Sequence, residues 1–129
     1  TEWWWKCRRV DGESKLKIKV NISVGEYIDK YSILKIKEEK GLNVKAELNQ
    51  YKPMLYTGFN YYLNIMIAIN SQLWDLEDIK RKGVERLTKE ESDTAFLITQ
   101  LNDLRHETKK RIDTFFYSDI TEKKSHWNI

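Results

Sequence analysis

Two capping boxes, each opening a long run of helical apolar spacing, constrain this chain more than any other feature. Ser23 stands three residues before Glu26, so its hydroxyl can accept from the Glu26 amide while the Glu26 carboxylate reaches back to the Ser23 amide. Val24, Tyr27, Ile28, Tyr31 and Leu34 follow at helical spacing. Thr88 and Glu91 repeat the pattern ahead of a stripe of Leu97, Leu101, Leu104, Ile112 and Phe115. Five glycines and one proline in 129 residues leave little sequence for long loops. The expectation is a mainly α protein.

Glycine and proline set where the helices stop. A first helix over 24–40 ends at Gly41, a good residue just past a helix C-terminus. Asn43 caps a second over 44–56, which Pro53 breaks or kinks because an interior proline removes a donor and clashes with the preceding turn. After Gly58 a third helix, 59–82, carries Tyr62, Met66, Ile69, Leu73 and Leu76 and ends at Gly83. The fourth covers 89–117. Ahead of them, residues 2–22 read as two short strands around Asp11-Gly12, a favoured turn pair, with Leu16, Ile18, Val20 and Ile22 alternating onto one face. The predicted organisation is an N-terminal β-hairpin over 1–22, a helical domain over 23–117 and a polar tail over 118–129. The helical part is expected as an antiparallel bundle or hairpin of three to four helices, with the short β-hairpin packed across one end or side.

The lone Cys7 excludes an internal disulfide, and with only His106 and His126 it excludes the usual zinc spacings. No metal and no cofactor is expected, and Cys7 reads as a reduced thiol in a cytoplasmic protein. No secretory signal is visible, and no apolar run approaches the ~20 residues that cross a bilayer, so no membrane partner is expected. Charge is uneven. The first 22 residues hold six basic side chains against Glu2, Asp11 and Glu13, while the other 107 balance 17 basic against 17 acidic. A helical body without net charge does not attract nucleic acid, so any anion preference belongs to the first segment or to a local patch.

Polar residues interrupt the apolar stripes at defined places. Thr108 falls between Leu104 and Ile112, flanked by Arg105 and Lys109; Asn70 lies between Met66 and Leu73; Glu77 follows one turn on. Glu26, Asp29 and Lys30 share the first turns of the first helix. A cluster joining Glu26, Asp29 and Glu77 to Arg105 and Lys109 across three helices is the expected result. It serves either as ion pairs fixing helix register or as a small-anion or sugar site with Arg105 as a bidentate fork. No phosphate loop, dinucleotide fingerprint, H-E-x-x-H or G-x-S-x-G pattern occurs. The E-x-x-H pairs of a di-metal bundle are missing too. Nothing assigns a catalytic residue.

Trp3, Trp4 and Trp5 cannot all enter one small core, because successive strand residues point to opposite faces. Beside Arg8 and Arg9 they fit a protein contact, where Trp and Arg serve as anchors. They also fit stacking on single-stranded nucleic acid, with the arginines on phosphates. Self-association is expected from the tryptophans and from the aromatic run Phe59, Tyr61 and Tyr62.

Four blocks stand out: 18–30 continuing through 33–37, Leu73-Trp74-Asp75-Leu76-Glu77-Asp78-Ile79, Asn102-Asp103-Leu104-Arg105 with Lys109 to Ile112, and Glu122-Lys123-Lys124-Ser125. In them the chain resembles a family of small helical proteins of unknown function from bacteria and bacteriophages, including phages of marine cyanobacteria. The likeness covers most of 18–125 and departs most over 51–69. It implies a compact helical domain and carries no activity with it. Its polar positions are Glu26, Asp29, Lys30, Glu77, Asp78, Asn102, Asp103 and Arg105, largely those already singled out. The expected function is a non-enzymatic protein-binding module of bacterial or phage type, in the cytoplasm or, if viral, in the host cytoplasm or particle. The alternatives are a phosphate- or sugar-binding domain, with or without enzymatic activity, centred on Glu26, Glu77, Arg105 and Lys109, and a single-stranded nucleic-acid binder.

Overall fold

The structure, a computed structural model, describes residues 16, 18–52, 57–83 and 88–116. These residues form four helices and no strand: α1 (Val24–Glu39), α2 (Lys45–Leu48), α3 (Phe59–Arg81) and α4 (Lys89–Phe115). The mainly helical expectation is met. Of the expected β-hairpin, the first run and the turn lie outside the described residues. The described part of the second run, Leu16 and 18–22, carries no strand, and Leu16, Ile18 and Val20 stand exposed. The tail over 118–129 also lies outside.

The capping residues act as the sequence indicates. Ser23 Oγ accepts from the Glu26 amide at 3.0 Å and Thr88 Oγ1 from the Glu91 amide at 3.2 Å. The other half of the first box differs: the Glu26 carboxylate is turned to Lys109 and Lys30. Gly41 and Gly83 follow their helices with φ of 85° and 92°, a backbone that only glycine takes without strain. The expected second helix is one turn long. Val44, not Asn43, precedes it without a side-chain cap, and it buries no residue. The helix stops ahead of Lys52 and Pro53, where the proline ring would clash with a preceding carbonyl and disfavours helix at Lys52.

Contacts fix the topology. Gly25 meets Lys109 and Asp113 while Asp29 meets Arg105, so α1 runs antiparallel to α4. Tyr62 packs on Phe115, and Leu76 shares a groove with Leu97 and Leu101, so α3 is also antiparallel to α4. α1 and α3 are therefore parallel, joined by a crossover holding α2. The core is Ile28, Tyr31, Ile33, Ile36, Phe59, Leu63, Met66, Ile69, Leu73, Trp74, Ile98 and Ile112. Phe59, part of the aromatic run from which self-association is expected, is buried beside Tyr31; Tyr61 is 65% exposed.

α4 is rotated relative to its leucine stripe. Its buried residues are Thr94, Ile98, Arg105, Thr108, Lys109, Ile112 and Asp113. Leu97, Leu104 and Phe115 are each nearly half exposed. The inward face of the longest helix is thus rich in charge. That arrangement holds only if each buried charge meets a partner, because an unpaired one costs several kcal/mol.

Candidate functional site

The partner that makes the α4 face possible is Asp29, fully buried on α1. Arg105 donates to it twice, Nε to Oδ1 at 2.9 Å and Nη2 to Oδ2 at 2.5 Å, in the planar fork that suits a carboxylate. Asn70 brings in α3, its Nδ2 donating to Asp29 Oδ1 at 2.9 Å and to Ser32 Oγ at 2.8 Å. Ser32 passes its own hydrogen to the Asp29 carbonyl at 2.6 Å. This pattern fixes the Asn70 amide orientation: turned over, it would present oxygen to a carboxylate.

Lys109 completes the cluster. It is 4% exposed at the side chain and lies 2.9 Å from Glu26 Oε1 and 3.6 Å from Asp29 Oδ2. Lys30, half exposed, holds Glu26 Oε2 at 3.2 Å. Burial alone would raise the Glu26 pKa, but the charges and hydrogen bonds of Lys109 and Lys30 outweigh it and hold the group at about 2. Glu26 is therefore ionised near neutral pH. It accepts hydrogen bonds there and cannot serve as a general acid.

One turn away, Asp113 Oδ1 accepts from the Gly25 amide at 2.7 Å. A carboxylate at a helix N-terminus meets unsatisfied amides and the positive end of the helix dipole. The approach requires glycine, since a Cβ at residue 25 would lie 2.5 Å from the Lys109 carbonyl oxygen.

The cluster opens outward. A cavity of about 460 Å³ is lined by Glu26, Asp29, Lys30, Ile33, Leu34 and Lys37 of α1, by Glu47, Gln50 and Tyr51 of the crossover, and by Arg105. Tyr51 is braced there, its ring stacked on Tyr31 at 5.7 Å and tilted on Tyr27 at 5.0 Å. The Tyr27 hydroxyl ties down the next residue, donating to the Lys52 carbonyl at 3.1 Å and accepting from its amide at 2.8 Å. Burial, then the neighbouring Tyr27 and Glu26, raise the Tyr51 pKa, so its hydroxyl stays protonated through neutral pH.

Of the residues expected to form a site, Glu26, Asp29, Lys30, Arg105 and Lys109 come together. Glu77 is buried on α3 and does not line the cavity. Asp78 pairs with Arg81. Asn102 and Asp103 lie on α4 outside the cavity lining, half-buried and exposed respectively. Trp3, Trp4, Trp5, Arg8 and Arg9 lie outside the described residues. Sequence reasoning passed over Ser32, Asp113 and the crossover residues Glu47, Gln50 and Tyr51. Ser32 and Asp113 sit three and four residues beyond Asp29 and Lys109, a spacing that places them on the same helix faces. The crossover residues carry no such signal. Among the described residues no group of His, Cys, Asp or Glu could hold a metal ion, and no helix is long and apolar enough to cross a membrane. Comparison with known protein families, with curated proteins and with solved structures finds no match.

Proposed function

We propose that this helical domain binds a small polar ligand, of the sugar or phosphate class, in the groove between α1, the crossover and α4, and holds it without chemical conversion. One observation carries the reading: the buried Asp29–Arg105 pair lies directly beneath an open cavity of about 460 Å³, with Arg105 at its edge. That volume lies in the range of small-molecule pockets, ~300–1,000 Å³, and a lining of six charged residues and Gln50 beside Ile33, Leu34 and Tyr51 suits a polar ligand. The first and third blocks of the family resemblance supply the floor through Glu26, Asp29 and Arg105. Membership of that bacterial and phage family is part of the proposal.

The test is a nuclear magnetic resonance titration of the isotope-labelled full chain with inorganic phosphate and a panel of neutral mono- and disaccharides. Saturable shifts are expected at amides of 30–37, 47–51 and around Arg105. Shifts confined to other faces, or none with any probe, would overturn the reading.

A second reading, protein contact through the N-terminal segment, is favoured by the exposure of Leu16, Ile18 and Val20, which are 76%, 77% and 72% accessible. It predicts a salt-resistant partner that co-purifies with the chain and is lost on Trp4→Ala or Trp5→Ala. A nucleic-acid partner would instead leave as salt rises, because each neutralised phosphate releases counterions.

A further inference from the structure

Resting on the groove as a ligand site, we infer that its ligand is a neutral sugar residue and not a phosphate. The lining carries three carboxylates, Glu26, Asp29 and Glu47, and three cations, Lys30, Lys37 and Arg105, so the groove has no net formal charge. Its strongest donors are already engaged. Two nitrogens of the Arg105 fork lie on Asp29, and Lys109 behind it sits on Glu26 and Asp29. A phosphate dianion would enter a neutralised floor and face the carboxylates of Glu26 and Glu47, with Asp29 buried beneath them. A sugar hydroxyl has different needs, since each both donates and accepts. Donors and acceptors alternate around this cavity: carboxylates to receive, ammonium groups to give, and the Gln50 amide to do both. Ile33, Leu34 and Tyr51 supply the apolar wall that the C–H face of a sugar ring requires. Ionised Glu26 gives a permanent acceptor at the floor, which suits holding a sugar rather than protonating a glycosidic oxygen.

Isothermal titration of the full chain with neutral mono- and disaccharides and with inorganic phosphate, at low and high salt, decides the matter. Wild type, Gln50→Ala and Glu47→Gln are compared, with thermal unfolding confirming that each remains folded. The inference predicts saccharide binding that salt barely changes. It should weaken by roughly threefold to tenfold in Gln50→Ala. Glu47→Gln, which keeps an acceptor oxygen, should change it by less than about threefold. Phosphate binding that tightens by roughly threefold or more in Glu47→Gln and fades with salt, without saccharide binding, would overturn the sugar assignment and leave the groove reading standing. Binding of neither class, or binding that both variants leave unchanged, would overturn the groove reading itself.

Discussion

Asp29 concentrates the protein's polar chemistry in a single side chain. It accepts from an arginine fork and an asparagine amide, with an ammonium group 3.6 Å away, and it is inaccessible to water. Gly25 is its backbone counterpart, where the absence of a Cβ lets α1 rest on the Lys109 carbonyl. Gly25→Ala would force these helices apart and disturb the Asp113 bond, costing about 2 kcal/mol or more by analogy with overpacked cores. Urea unfolding should show it as a lowered midpoint with an unchanged slope. The polar cluster was partly legible in the sequence, and the close approach at Gly25 was not. Asp29, Arg105 and Lys109 stood out because charges broke an apolar stripe. Asn70 stood out for the same reason, but its partner could not be read, since which charge meets which amide depends on how the helices face one another.

The helices themselves were legible where local chemistry dominates. The capping boxes and the glycines at 41 and 83 mark boundaries because hydroxyl-to-amide bonds and left-handed backbone are decided within a few residues. The rotation of α4 was not. A leucine stripe is ordinarily the buried stripe; here Ile98 and a row of charged and hydroxylated residues take its place, and Ile112 is the stripe residue that is buried. The charges of α1 hold them there, and a single helix's pattern does not contain its neighbour's. This rotation has a direct test. Ile98→Ala, outside the leucine stripe, should cost about 2–5 kcal/mol, as for a buried aliphatic residue. Leu104→Ala should cost less than about 1 kcal/mol, as a half-exposed side chain loses little buried area. Chemical denaturation of the two variants side by side gives the comparison.

At the scale of the whole molecule, two parallel helices are clamped by an antiparallel third. The crossover between the parallel pair walls a groove whose floor is the polar cluster. Stability should therefore follow the protonation of that floor. Glu26 has its folded pKa at about 2, below the ordinary 4.5, so its contribution is fully present above about pH 4.5. The contribution is lost as pH falls from 4.5 towards 2, because the unfolded chain takes up the proton first. The size is about 3 kcal/mol at most, reduced by screening because the side chain is 23% exposed. Glu26→Gln should flatten the acid limb of a stability–pH curve measured by thermal unfolding. The groove wall was the least legible part of the fold from sequence, since Glu47, Gln50 and Tyr51 converge only because the crossover folds back over α1.

The most direct test of the account is a double-mutant cycle at Asp29 and Arg105, read by urea unfolding near pH 7. Asp29→Ala and Arg105→Ala should each cost about 3–5 kcal/mol, because each strands a buried charge. The double variant should cost well below the sum, with a coupling of about 2 kcal/mol or more. Additive losses within about 0.5 kcal/mol would mean that the two residues do not form the buried pair on which the helix arrangement and the groove floor depend.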